Sequence, residues 1–409
     1  MNLPFFIASR LALNRGAGFS KYIIHLAIFA TTISVATMIV AMSFVNGFQS
    51  VIQQKVHSFW GHIRVQQYLD QGEGLSEQAP LERDLSIEKM ITQSKGIRSV
   101  EPYATKSALL KSATGIESIL LKGYDRSFHP EWRGLQLLSG RWPNRQSADY
   151  AKEVVLTQMV ADKLGVKTND SLIVFFFRQD KSQAARKVQV CGIYKTGIED
   201  YDKNFSITDL GLIQRLNQWS TQQFGGYEIL LNDPKQSTAI QNYLYDALPQ
   251  TWYCETIASI FPNIFDWLKL QDQIKNILLV IMLVIAVING MTCLIILILE
   301  RTRMTGILKA MGSTNGMIQR IFLYQALYIG SLGILLGTLL GCGICWLQQA
   351  TGFIQLDETA YFISEAAVEM NWIQIMMIDL STWIFCLLML IIPTRMVRRM
   401  QPIKAIRFK

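Results

Sequence analysis

Four long apolar stretches constrain this chain more than anything else in it: residues 22–46, 273–299, 321–347 and 372–394. A helix needs about 20 apolar residues to cross a ~30 Å hydrocarbon layer, because each residue advances it only ~1.5 Å. All four stretches are long enough. His25 lies at the start of the first, and Asp379 sits inside the fourth. Between the first and second, residues 47–272 have ordinary globular composition, although the whole chain is 50% hydrophobic. The expected fold is therefore membrane α-helical, with four transmembrane helices and a large α+β extracytoplasmic domain inserted between helices 1 and 2.

Charge placement gives this arrangement a direction. Segment 1–21 carries Arg10, Arg15 and Lys21 and no acid. Loop 300–320 carries Arg301, Arg303, Lys309 and Arg320 against Glu300 alone. Tail 395–409 holds Arg395, Arg398, Arg399, Lys404, Arg407 and Lys409, again without an acid. Loop 348–371 has the opposite character, with Asp357, Glu358, Glu365 and Glu369 and no cation. The formal +8 therefore lies in the segments that the positive-inside rule places in the cytoplasm. Both termini and loop 300–320 are expected inside, with the domain 47–272 and loop 348–371 outside. The basic balance reports orientation rather than nucleic-acid binding, since no basic helix with interleaved aromatic residues accompanies it. Residues 1–21 read as a cytoplasmic interfacial helix on membrane lipid, and 395–409 as a basic tail. The first span has no small-residue cleavage site before Asn46 and Gly47, so it reads as a retained anchor.

Within 47–272, β-branched and aromatic runs bounded by turn residues predict strands at 63–67, 107–111, 118–123, 153–156, 171–177, 187–193, 205–207 and 227–231. Helices are predicted at 86–94, with Ser86 as its cap, and at 157–164, 209–219 and 235–248. The domain is expected to divide into a membrane-proximal part, 47–105 with 226–272, and a distal part, 106–225. Ile264, Trp267, Leu268, Leu270 and Ile274 keep helical spacing up to the second span without a Gly or Pro break. That predicts a continuous stalk helix.

No catalytic constellation emerges. There is no GxxxxGK[ST], so the chain carries no P-loop of its own. His25, His57, His62 and His129 show no metal-ligand spacing, and His57 and His62 are expected at the membrane interface. Glu199, Asp200 and Asp202 read as a solvated turn. The six cysteines form no disulfide framework; Cys191 and Cys254, the two outside the spans, are expected to be free. The stretch 300–312, ERTRMTGILKAMG, is more telling. Ile307, Ala310 and Met311 fall at i, i+3 and i+4, giving one apolar side to a short helix that Gly312 would end. Such a helix can dock on something. Gly330, Gly333, Gly337 and Gly341 share a face of the third span and permit close helix–helix approach, within the subunit or with another. Asp379 either lines a wet cavity or sits protonated against polar neighbours.

Together these features resemble one family: permease subunits of the MacB/FtsX-type ABC transporters, and within it the lipoprotein-releasing LolC/LolE branch. The resemblance runs through SFVNGF at 43–48, ERTRMTGILKAMGSTNGMIQRIF at 300–322, the glycine-rich third span and PTRMVRRMQPIKAIR at 393–407. GIEDYDKNFSITDL at 197–210, and 352–356 with Tyr361, add to it. The resemblance implies that Arg303, Thr305, Gly306, Ile307, Lys309, Ala310, Met311 and Gly312 form a coupling helix seated on a LolD-like ATPase dimer. That partner would bind ATP and Mg, and this chain would hold no cofactor and no active site. It implies a second permease subunit, identical or not, and a lipoprotein substrate in a cavity between first and second spans, for which Met38, Met42, Phe44, Leu268 and Ile274 are the candidates. Porter and Sabre-like parts would correspond to the two parts of the domain, and a LolA-like periplasmic carrier would take the cargo. The turn 178–184 departs from the proline-containing hairpin by which LolC recruits its carrier. An alternative is a mechanotransmission permease of the FtsX or MacB kind, driving a periplasmic enzyme, signalling or efflux partner without lipoprotein release.

Overall fold

In the computed structural model of the chain, Pro4, Phe6 and residues 19–68, 78–143, 150–177, 183–356, 363 and 365–396 are described. Most of the expected interfacial helix, the turn at 178–182, Tyr361 and most of the basic tail lie outside them. The chain forms two compact units. One comprises 1–50, 267–355 and 365–409, the other 51–266 with 356–364.

Helix α1, Phe19–Trp60, opens the described chain. It continues past residue 47, where the inserted domain is expected to begin, and the compact sheet unit starts at Val51, inside it. Gly47 does not end the helix; its missing side chain makes room for the backbone of Ala367, whose oxygen would lie 2.4 Å from a Cβ there. The helix ends only at Gly61, with φ +73°, in the left-handed conformation that glycine supplies without strain. In the sheet unit there follow β1 (Ile63–Gln67), β2 (Leu81–Glu82), α2 (Leu85–Gln93), β3 (Ile97–Lys111), β4 (Ile116–Tyr124), α3 (Pro130–Arg133) and β5 (Gln136–Gly140). Next come β6 (Glu153–Thr157), α4 (Gln158–Leu164), β7 (Ser171–Phe177), β8 (Gln183–Lys195), α5 (Glu199–Asn204), β9 (Phe205–Asp209) and α6 (Leu210–Leu216). The unit closes with β10 (Gln223–Phe224), β11 (Gly226–Leu231), α7 (Ser237–Ala247), β12 (Trp252–Thr256) and α8 (Ile257–Ile260). Caps follow local chemistry. The carboxylate of Asp84, not Ser86 as expected, accepts from the amides of Ser86 and Ile87 at the start of α2. Thr157 and Gly165 bracket α4.

One ten-stranded sheet dominates, in the order β12-β1-β11-β3-β4-β9-β6-β8-β5, with β7 pairing both β3 and β8. Strand β3 runs unbroken past residue 105; its first half pairs with β11 and its second with β4 and β7. Alternation sorts side chains onto two faces. Ala104, Leu121, Val154, Leu156 and Val190 join the larger core, with α2, α4, α6 and α7 contributing to it. Tyr103, Tyr124, Val155 and Cys191 join a second core with Val56, Phe59, Trp60 and Tyr201. Because both faces are covered, β6 is apolar at successive positions instead of alternating.

The helical unit holds the first part of α1 and then α9 (Pro262–Glu300), α10 (Thr302–Ala310), α11 (Asn315–Thr351) and α12 (Trp372–Met396). Helix α9 is unbroken through the expected stalk. Helices α1, α9 and α11 are long and apolar enough to cross a membrane, while α12 carries a shorter apolar stretch, Trp372–Leu388.

Candidate functional site

The stretch 300–312 folds as its spacing predicts. Helix α9 ends at Glu300 and the chain turns directly into α10, with the Arg301 amide still donating to the Leu297 carbonyl at 3.1 Å. The Thr305 hydroxyl donates back to the Arg301 carbonyl at 3.0 Å and is fully buried. At the far end, Gly312 takes φ +91° and its amide donates to Lys309, while that of Ser313 donates to Leu308. Thr314 then caps α11, accepting from the Met317 amide at 3.3 Å.

Two faces result. Met304 and Leu308 pack inward on Leu294, Ile298, Ile318 and Phe322 from α9 and α11. Thr305 and Gly306 are buried with them. Arg303, Ala310 and Gly312 are exposed, as are Ile307 at 47% and Met311 at 79%; Lys309 is half-buried. The apolar side that spacing predicted is thus the outward one: a short ridge with Arg303 and Lys309 near it, held by the ends of two long helices.

Three of the four glycines meet α1. A Cβ at Gly333 would lie 2.8 Å from that of Thr31, one at Gly337 2.7 Å from that of Val35, and one at Gly341 3.1 Å from that of Ile39. The Thr32 hydroxyl donates to the Gly333 carbonyl at 3.2 Å. Gly330 has nothing within 4 Å of its Cβ position. With Gly290, Ala27 and Cys386 it lines a cavity of about 30 Å³, room for about one water.

The expected cavity residues differ in burial. Met38 is buried and packs, with Met42, among Val35, Ile39, Ile334 and Ile375. Leu268 is buried and Phe44 half-buried, leaving Ile274 exposed. On α9, Ile274 continues into exposed Ile277, Val280, Ile281, Val284 and Ile288. Met38 and Met42 face inward where α1 packs against α11 and α12. The Ser43–Phe48 motif is a junction: Asn46 donates to Gln374 at 2.6 Å and accepts from Lys275 at 3.1 Å. On α11, the Thr338 hydroxyl lies 2.9 Å from both Asp379 oxygens.

Sequence reasoning missed a charge network in the sheet unit. Lys122 pairs with Glu228 at 2.7 Å, and Arg133 with Glu101 at 2.5 Å and Glu228 at 2.8 Å, all four side chains wholly enclosed. Burial pushes the Lys122 amine well below the usual lysine range, Glu228 opposing it. His57 and His62, expected at the membrane interface, pack against each other in the sheet unit. Their rings stack at 4.4 Å, and burial, then His57 and Arg133, drives His62 down to about 3. Asp202 is also buried, accepting from Thr196 and Gly197, rather than lying in a solvated turn. The ion-pair partners lie 32 or more residues apart, so no local spacing announces them. All six cysteines are free.

A helical unit with a short, partly exposed helix between α9 and α11, and a mixed sheet unit between α1 and α9 in the chain, fits a membrane permease class. Residues 25–246 match the MacB-like periplasmic core domain and residues 276–402 the FtsX-like permease C-terminal family. The chain belongs to the MacB/FtsX-type family of ABC transporter permeases. It is similar to the lipoprotein-releasing system transmembrane protein LolE of Haemophilus influenzae, 24% identical over 98% of each chain. It is also similar to LolC of the same organism, 21% identical over 100% of each. The solved periplasmic region of MacB from Actinobacillus actinomycetemcomitans aligns with a TM-score of 0.35 and 16% identity, over 49% of this chain and 91% of that one.

Proposed function

We propose that this permease extracts lipoproteins from the bacterial inner membrane and passes them to a periplasmic carrier, driven by ATP hydrolysis on a separate LolD-like ATPase. In this reading four helices cross the membrane, both termini and α10 are cytoplasmic, and the sheet unit is periplasmic. The observation that carries it is the geometry of α10. Its inner face is fixed to α9 and α11 while Arg303, Ile307, Ala310 and Met311 are left outward, as a helix seated in a partner's groove requires. The cargo is supported by similarity to LolE and LolC that extends over essentially the whole of each chain. Pulling out an acyl chain costs about 0.8 kcal/mol per buried methylene, so the step needs an energy source. A second permease subunit completes the transporter, and the exposed strip of α9 from Ile274 onward is the cavity wall we assign in place of Met38, Met42 and Leu268.

Depleting the protein in its native cell and fractionating the membranes tests this. Lipoproteins of the outer membrane should accumulate in the inner membrane; unchanged sorting would refute the cargo. The FtsX-like match and the unbroken α1 and α9 also fit a permease that only transmits movement to a periplasmic partner. That reading predicts unchanged sorting with ATPase binding retained.

A further inference from the structure

The enclosed charges converge on one atom. The carbonyl of Phe59, in the last turn of α1, accepts from Lys122 Nζ at 2.6 Å, from Arg133 Nη1 at 3.1 Å and from the Tyr124 hydroxyl at 3.2 Å. Lys122 Nζ also lies 4.0 Å from the ring centroid of Trp60 and 4.4 Å from that of Phe59. A helix presents unpaired carbonyls and negative partial charge at its C-terminus, so two cations there satisfy both needs. Lys122 and Tyr124 stand on β4 and Arg133 on α3. Their counter-charges, Glu101 on β3 and Glu228 on β11, tie the same group to two further strands. Around it, Trp60 meets Tyr201 and Phe205, and on the side where α9 begins it meets Phe261 at 5.6 Å. His57 meets Phe265, in the first turn of α9, at 5.7 Å.

Stability alone does not call for this chemistry. Well-packed apolar residues often replace a buried ion pair without loss, because desolvation offsets most of the attraction. Charged hydrogen bonds add direction: they hold a particular carbonyl at a particular place. Here that place is the end of a 42-residue helix, beside the start of a 39-residue one. We propose that this socket is a force-transmitting joint, with Lys122 and Arg133 as positioning residues that hand movement of α1 and α9 to the sheet. The proposal rests on the ATP-driven permease reading but not on what the cargo is.

The test uses the complete complex with its ATPase in lipid nanodiscs. Amide hydrogen exchange of β4 is compared without nucleotide and with a non-hydrolysable ATP analogue. The double variant Lys122→Met/Glu228→Gln removes one pair while Arg133 keeps Glu101. It should keep ATP turnover while the nucleotide-dependent difference in β4 exchange falls roughly five-fold or more, the lower end of usual coupling strengths. If the double variant does not assemble, Tyr124→Phe, which deletes one donor to Phe59 and keeps the ring, should reduce the same difference. A folded variant with the wild-type difference overturns the joint. So does a wild-type complex that turns over ATP and shows no difference in β4. A chain that binds no ATPase at all instead refutes the permease reading beneath it.

Discussion

At Gly337 a single missing side chain decides how closely two helices approach. A Cβ there would stand 2.7 Å from that of Val35 and 2.8 Å from the Thr32 carbonyl oxygen, and neither helix can yield locally. Gly337→Leu should therefore lower stability by at least about 1–3 kcal/mol, the usual range for overpacking, read as lower yield and melting temperature in detergent. Gly330→Ala, with open space at its Cβ position, should change neither. His62 makes a second residue-scale prediction. Folded, its imidazole is pushed down to about 3 by burial first and by His57 and Arg133 next, whereas an unfolded histidine titrates near ~6.5. Between those values the unfolded chain binds the extra proton, so stability is whole above pH ~6.5 and declines as pH falls toward ~3. Melting of the full chain should occur at lower temperature at pH ~4.5 than at ~7.5. His62→Gln, whose amide oxygen can still accept from Leu231, should narrow that gap. Equal melting at both pH values in the wild type would contradict the assignment. The periodic glycines were legible in the sequence because helical geometry fixes which of them share a face. The buried charges were not, since nothing in the local sequence marks Lys122, Arg133, Glu101 and Glu228 before tertiary structure brings them together.

Among elements, α10 carries the proposed function. Its apolar ridge points outward only because Met304, Thr305 and Leu308 occupy the inner side. Ile307→Glu or Met311→Glu should abolish co-purification of the ATPase yet leave the melting temperature within about 1 °C, since surface changes rarely exceed ~0.5 kcal/mol. Lys309→Glu should weaken the same association. Gly306→Pro, placed inside the helix, should cost about 3 kcal/mol and unmake it. Loss of stability without loss of binding in the Ile307 and Met311 variants would contradict the docking face. Element positions were legible where local signals suffice: spacing and Gly312 gave α10, and Thr157 with the following apolar pattern gave α4. Residues 97–106 of β3 went unread because Pro102 and the charged Arg98, Glu101 and Lys106 hide a strand whose polar groups are satisfied only by distant partners. The length of α1 went unread because Gly47 looks like a terminator and is instead a contact point for Ala367.

For the whole molecule, two continuous helices set the logic. Helix α1 runs from Phe19 to Trp60 and α9 from Pro262 to Glu300, so each belongs in part to both compact units. One end of α9 leads into α10 and its other end begins beside Phe261 and the aromatic cluster around Trp60, so under the proposed function movement would travel along continuous helix rather than loop. Overall class was legible in the four apolar stretches and the missing P-loop, because bilayer thickness and phosphate chemistry leave few alternatives. The proposed cargo was not, because an apolar wall that would hold a lipid anchor needs no distinctive residue types. The most direct measurement is ATP-dependent release in proteoliposomes holding the complex and a triacylated lipoprotein, with a soluble carrier outside. The wild type should transfer lipoprotein to the carrier only with ATP, and Ile307→Glu should abolish transfer while the protein remains folded. No ATP-dependent transfer by an intact wild-type complex that hydrolyses ATP would contradict the account.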